Sequence, residues 1–353
     1  MAEARTPGGH LPDDPRRGVR RLAVATTAAT LLLIAMGGAV RATDSGLACP
    51  DWPACYGQWV PPADLNMWLE HSHRLWAGVV GLMIAALVVA ALRHRDVPRL
   101  WRLSSLALVL VVIQAALGAA VVLLHLRAGL VTSHLGMSWV IVACLVFVAV
   151  AARDPVGASA GSGHERRTAN ESAVVAVLVL LQGLLGGQAT GRGAAYVYNA
   201  VPIWLSDQQW TGHAREWLHL THRFAGYLVA AAVIVYAVRA HRRARRVEQA
   251  DGEVAAWTRW LPQLAVVLVV VQVGLGITNV LTRATVWSGI SHLTVASWLW
   301  TALVVAAALG WRRARVPTTP ATGAPRAAAT DDAAGSSGGS TRPSSEPERE
   351  VVR

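Results

Sequence analysis

The chain has 353 residues, 54% of them apolar, a mean hydropathy of +0.39 and a formal net charge of +11. Those values exclude an ordinary soluble domain and point to an integral membrane protein. All 32 basic residues are arginine, and they gather at the ends of apolar runs; membrane topology explains the charge, and no nucleic-acid partner is implied.

Residues 1–21 are polar, carry Pro7, Pro12 and Pro15, and read as a disordered cytoplasmic tail. The first apolar run, 22–40, ends in Gly37-Gly38, small residues that let a neighbouring helix approach. No small-x-small cleavage site follows it, so it reads as a retained helix. An external loop, 41–70, holds Cys49-Pro50-Asp51-Trp52-Pro53-Ala54-Cys55. Two cysteines on the oxidising side with two prolines between them suit a disulfide-closed loop; two free thiols or a metal pair are the alternatives. Trp52 either caps an external site or anchors in the membrane interface. Glu70-His71-Ser72-His73-Arg74 heads the second run, 75–92. Glu70 and His73 share a helix face; His71 is rotated away, so His73 is the expected buried histidine and His71 an interface residue.

The third run, 103–126, carries Gln114 and Gly118 and ends near His125, expected at the surface. The fourth, 134–152, opens with Ser133-His134 and contains Cys144, an inert core residue. A Gly-, Ala-, Ser- and Arg-rich cytoplasmic linker, 153–171, leads to the fifth run, 172–190. The external loop 191–217 has no cysteine, and His219-Leu220-Thr221-His222-Arg223 heads the sixth run, 222–238. The seventh, 261–281, has Pro262 in its expected first turn. The eighth, 292–311, opens with Ser291-His292, and 312–353 reads as a disordered cytoplasmic tail. Each run is near the ~20 residues a span needs. Strand-type alternation is absent, which argues against a β-barrel.

The chain repeats itself. Gly37-Gly38 recurs as Gly186-Gly187 and His73-Arg74 as His222-Arg223, both at an offset of 149 residues. Gln114-x-x-Leu117-Gly118 leads to Ser133-His134-Leu135 as Gln272-x-x-Leu275-Gly276 leads to Ser291-His292-Leu293, with 20 residues from glutamine to histidine in both. The unit holds four helices, an even number, so both copies share one orientation. The expected fold is all-α, with eight transmembrane helices as two parallel-repeat four-helix bundles, 22–152 and 172–311. Twenty-one arginines lie on one side of these spans and seven on the other, which puts both termini in the cytoplasm of a plasma-membrane protein. Each copy then carries two histidines at one depth on its second and fourth helices. Such a pair can ligate one heme iron from both sides. Zinc needs more ligands per site, and a proton relay is the stronger rival.

The run Thr43-Asp44-Ser45-Gly46-Leu47-Ala48-Cys49-Pro50-Asp51-Trp52-Pro53-Ala54-Cys55-Tyr56-Gly57 resembles the first external loop of heme A synthases. Glu70-x-x-His73-Arg74, Ser133-His134-Leu135, His222-Arg223 and Ser291-His292-Leu293 resemble that family's other motifs, and the likeness covers residues 20–312. The resemblance implies oxidation of a ring methyl of heme O to a formyl group, giving heme A for cytochrome oxidase. It implies a substrate heme between His73 and His134 and a heme b cofactor between His222 and His292. The partners implied are the heme O substrate, a heme O synthase and an electron donor in the membrane, with a homo-oligomer allowed. One departure stands out: many bacterial members carry a second cysteine pair in the loop before the sixth helix, and this chain has none there.

His219 of copy two stands where copy one has Glu70. A carboxylate beside an iron site suits proton handling or the stabilisation of positive charge, which makes Glu70 the candidate catalytic residue; favouring the helix start is the alternative. Arg74 and Arg223 are candidate contacts for heme propionates or else interfacial anchors. Two rival functions remain. A diheme electron-transfer cytochrome without substrate turnover leaves Glu70 and the cysteine loop unexplained; a transporter leaves the paired histidines unexplained.

Overall fold

The structure, a computed structural model, describes residues 14–153, 163–201, 206, 208–250 and 254–313. The expectations for residues 1–13, for 154–162 of the linker and for the tail beyond 313 lie outside the described residues. Eight α-helices are present among the rest, with a 3₁₀ turn at Ala194–Tyr196: α1 Arg17–Ala42, α2 Leu65–Leu92, α3 Pro98–Leu123, α4 Ala128–Ala151, α5 Gly163–Gly191, α6 Ala214–Gln249, α7 Trp257–Leu281 and α8 Val286–Arg313. All eight are long and apolar enough to cross a membrane, and no strand occurs among the described residues. The chain is an all-α, multi-pass membrane protein.

The helices outrun the apolar runs. Residues 17–21 and 163–171, expected in a tail and a linker, are helical. α2, α4, α6 and α8 begin at Leu65, Ala128, Ala214 and Val286, each several residues before the apolar run. The added turns carry Glu, His, Arg and Ser, which depress hydropathy without opposing the helix. For α2 the start is set by Asp64, whose carboxylate accepts the Met67 N–H at 3.0 Å. Pro262 is the sixth residue of α7 and not in its first turn, because that helix begins at Trp257. One i→i−4 bond is therefore missing inside α7.

Neighbouring helices pack in chain order, and α1 closes onto α4 as α5 closes onto α8. The two rings meet through α1 with α8, α4 with α5, and α4 with α8. Exchanging α1–α4 for α5–α8 leaves this packing scheme unchanged. Residues at the same repeat position touch each other: Arg41 Nη2 donates to the Thr190 carbonyl at 3.5 Å, and Trp139 Nε1 to Ser297 Oγ at 3.1 Å. Trp139 also stacks on Trp300, with ring centroids 5.4 Å apart.

The backbone repeats in the same way. The turn from α3 to α4 places His125 and Leu126 at φ of 54°, and the turn from α7 to α8 places Arg283 and Ala284 at 53° and 54°. Two successive non-glycine residues in this region are uncommon. Each turn is closed by a bond spanning five residues, Leu126 N–H to the Val121 carbonyl at 2.8 Å and Ala284 N–H to the Asn279 carbonyl at 2.7 Å. Away from the ring interiors, large apolar side chains such as Leu82 and Leu228 are 73% exposed, as expected of surfaces facing lipid.

Candidate functional site

Four histidines occupy matched places. His73 and His222 are the ninth residues of α2 and α6, and His134 and His292 the seventh of α4 and α8. At 1.5 Å per residue all four lie about 9–12 Å into their helices, at the end that carries the cysteine loop. α2 and α4 stand across their ring from each other, as do α6 and α8, so each pair of imidazoles faces the ring interior from opposite sides. Within each pair the imidazoles are close enough to interact electrostatically, His73 with His134 and His222 with His292.

Each ring rests on a glycine of the preceding helix. A β-carbon on Gly37 would lie 3.1 Å from His73 Cε1, and one on Gly118 3.2 Å from His134 Cε1. The same measures are 2.8 Å for Gly186 against His222 and 3.3 Å for Gly276 against His292. Any side chain at these positions would push the ring aside. The second glycine of each pair does what the sequence suggests, admitting another helix: Gly38 meets Leu293 of α8, and Gly187 meets Thr132 of α4. Among buried polar atoms, Nδ1 of His73, His134 and His292 and Oε1 of Gln114, Gln182 and Gln272 have no protein partner. Buried polar atoms left in register at repeated places are what a bound polar group explains best. Two facing imidazoles with room kept by glycine fit a bis-histidine heme in each ring. No group of three or more His, Cys, Asp or Glu able to hold a metal ion alone occurs among the described residues.

Copy one's loop is tied down by the residues around His73. Cys49 and Cys55 form a disulfide with Cα atoms 4.7 Å apart, and both are buried. Asp51 accepts the N–H groups of Tyr56 and Gly57 at 2.6 and 2.7 Å, closing the turn in which both residues have positive φ. These bonds, the Gly57 N–H above all, hold the Asp51 carboxyl below the usual carboxylate range. Glu70 accepts the Cys49 N–H at 2.9 Å and is paired with Arg74 at 2.5 Å, their side chains 4% and 10% exposed. Arg74 in turn donates to the carbonyls of Asp51 and Ala54, each at 2.6 Å, and of Cys49 at 3.1 Å. His71, expected at an interface, is fully buried beneath this loop, with Nε2 2.8 Å from the Trp59 carbonyl. His73 is the partly exposed one of the two. Trp52 lines an apolar groove of about 660 Å³ with Val112, Ala116, Ala119 and Leu123 of α3, on the face turned away from Gln114 and Gly118.

Copy two ties its loop by the same geometry with different chemistry. Arg223 donates to the carbonyl of Ala200, 23 residues back, as Arg74 does to Asp51. His219, in the place of Glu70, has Nδ1 2.8 Å from the Ala194 carbonyl and Nε2 3.3 Å from Arg223. Both of its nitrogens are occupied by protein, so it is no iron ligand. Glu216, not singled out in the sequence, accepts the N–H groups of Thr211 and Gly212 at 3.0 and 2.8 Å. His125 is exposed, and Cys144 is buried with its thiol 3.2 Å from the Leu103 carbonyl. Thiol labelling of unreduced, unfolded protein is expected to modify Cys144 alone; modification of all three cysteines would remove the disulfide.

Curated relatives share most of this length. A heme A synthase from Shewanella oneidensis is 29% identical over 307 residues, covering 74% of this chain and 88% of the relative. A heme A synthase from Geobacillus thermodenitrificans is 26% identical over 316 residues, covering 87% and 96%. One from Bacillus licheniformis is 23% identical over 281 residues, covering 78% and 90%. The model of the COX15-CtaA family, described as cytochrome oxidase assembly protein, matches residues 20–304 and so takes in all four histidines, the cysteine loop and both sets of loop ties. The chain belongs to the COX15-CtaA family of cytochrome oxidase assembly proteins.

Proposed function

We propose that this protein is a heme A synthase, a membrane enzyme that oxidises a ring methyl of heme O to the formyl group of heme A. His73 and His134 hold the substrate heme in the N-terminal bundle, and His222 and His292 hold a heme b cofactor in the C-terminal bundle. The observation that carries this reading is the fourfold seat of imidazole on glycine, at the same helical position in each ring. The name shared by the relatives supplies the product, heme A, and the resemblance of the motifs supplies heme O as the substrate.

Heme b, when bound, supplies a one-electron relay to the substrate site. The chain's own residues do the rest. The histidine pairs orient the two macrocycles, and the glycines keep space for them. Arg74 and Arg223 bring fixed positive charge beside the ligating histidines, suited to propionates, while loop carbonyls hold their terminal nitrogens. Glu70 and Arg74 clamp the disulfide loop over the first ring. Glu70 is the carboxylate nearest in sequence to the iron ligand His73 and the candidate for proton handling. The arginine bias places both termini in the cytoplasm and both histidine pairs near the external face. Contacts between equivalent residues at two levels, Arg41 with Thr190 and Trp139 with Ser297, favour a repeat axis along the membrane normal. Heme O synthase and a membrane electron donor are the expected partners.

The test is to extract the hemes from membranes with and without this protein and identify them by mass. Heme A is expected only where the protein is present. Heme O alone in both would reject the activity.

A further inference from the structure

The two bundles differ at the positions that touch the iron-ligand rings, and the differences come as matched sets. In copy two Gln182 of α5 places its amide nitrogen 3.1 Å from His222 Nδ1 and 2.8 Å from the His222 carbonyl. Gly226 leaves it room, since a β-carbon there would lie 3.1 Å from that nitrogen. Copy one has Leu33 in place of Gln182 and Ala77 in place of Gly226, so both the amide and the space for it are gone. The second ligands differ as well, but at the other ring nitrogen. Gln272 places its amide 3.1 Å from His292 Nε2, while His292 Nδ1 has no partner. Its equivalent, Gln114, is held instead by Ser138 Oγ at 2.7 Å and the His134 carbonyl at 3.0 Å. Copy two has Ala296 where copy one has Ser138, so nothing comparable draws Gln272 off its histidine. At Nδ1 the exception is His222, which Gln182 meets; Nδ1 of His73, of His134 and of His292 are buried without a hydrogen-bond partner.

We propose that Gln182, in the space left by Gly226, is a positioning residue that makes the C-terminal pair a retaining heme site, and that Leu33 and Ala77 keep the N-terminal pair exchangeable. This rests on the assignment of heme b to His222 and His292. When a histidine binds iron through Nε2, its Nδ1 carries the proton and needs an acceptor. The buried, unpartnered Oε1 of Gln182 is that acceptor when the side chain shifts, in the space Gly226 leaves, so that Oε1 meets Nδ1 and the amide nitrogen keeps the His222 carbonyl. Such outer partners fix the ring, raise its basicity and typically contribute about 10–100-fold in metal affinity. A cofactor should stay through many turnovers, whereas a substrate site must release its product. The same difference in anchoring serves both needs.

The test measures heme transfer from purified, heme-loaded protein to excess apomyoglobin, together with the midpoint potential of the retained heme. In Q182L the slowly released heme is expected to leave about 10–100-fold faster, with a shifted potential. In L33Q/A77G the rapidly released heme is expected to slow, and the C-terminal potential to stay as in the parent. Unchanged release and potential in Q182L, or no slowing in L33Q/A77G, overturns the proposal. If H222A and H292A leave the slow heme in place, the assignment of heme b has failed instead.

Discussion

Replacing His222 or His292 with alanine is expected to strip heme b from the purified protein and abolish its low-spin spectrum. In the proposed assignment each imidazole would hold the iron, and alanine leaves no donor to replace it. The loss should exceed the about 10–100-fold that outer-shell changes cost. The protein should still insert, because these rings pack on glycine at one end of helices whose apolar length lies elsewhere. His73→Ala and His134→Ala should leave heme b and its spectrum in place while abolishing heme A formation. Full heme b in the His222 or His292 variants would separate the C-terminal pair from cofactor binding.

Replacing Glu70 with glutamine is expected to stop the oxidation while sparing heme binding. Glutamine keeps an acceptor for the Cys49 N–H and a neutral contact for Arg74, but removes the charge and the exchangeable proton. Acid–base roles contribute roughly 10²–10⁴ in rate, so heme O or its half-oxidised alcohol should accumulate. Glu70→Ala is a harsher change. It leaves the Arg74 charge unpaired in a pair that is nearly buried, a loss on the order of 3–5 kcal/mol, and frees the loop. Normal heme A yield from Glu70→Gln at parental protein level would reduce Glu70 to a loop tie. His219 variants should alter the spectrum or potential of heme b more than the product.

Hydropathy made the eight spans legible because lipid demands about twenty apolar residues whatever their order. It missed the first turns of α2, α4, α6 and α8, since polar residues at an interface form helix as readily as apolar ones. Asp64 three residues before Met67 was a readable start signal for α2. The four histidines proposed as ligands stood out only through their spacing, since a single buried histidine has many uses. Gln182 was not legible, because what marks it is a difference between copies, whereas the repeat drew attention to likeness. Nor could the sequence show that Gly37 seats an imidazole while Gly38 admits a helix, as adjacent residues point to different neighbours. His71 looked peripheral by helical angle; the loop that covers it comes from 12 residues away.

The contact between Trp139 and Ser297 has an evolutionary consequence. Each occupies the other's place in the repeat, and touching one's own equivalent is what a self-complementary surface does in a symmetric dimer. Had the ancestor been two identical half-length chains, that spot would have held Trp against Trp, too bulky for the gap, or Ser against Ser, leaving a void. A large residue matched to a small one could arise only after gene duplication let the two halves differ. Duplication thus released this seam from having to match itself, and the same release let the halves diverge at Glu70 against His219 and at Leu33 against Gln182.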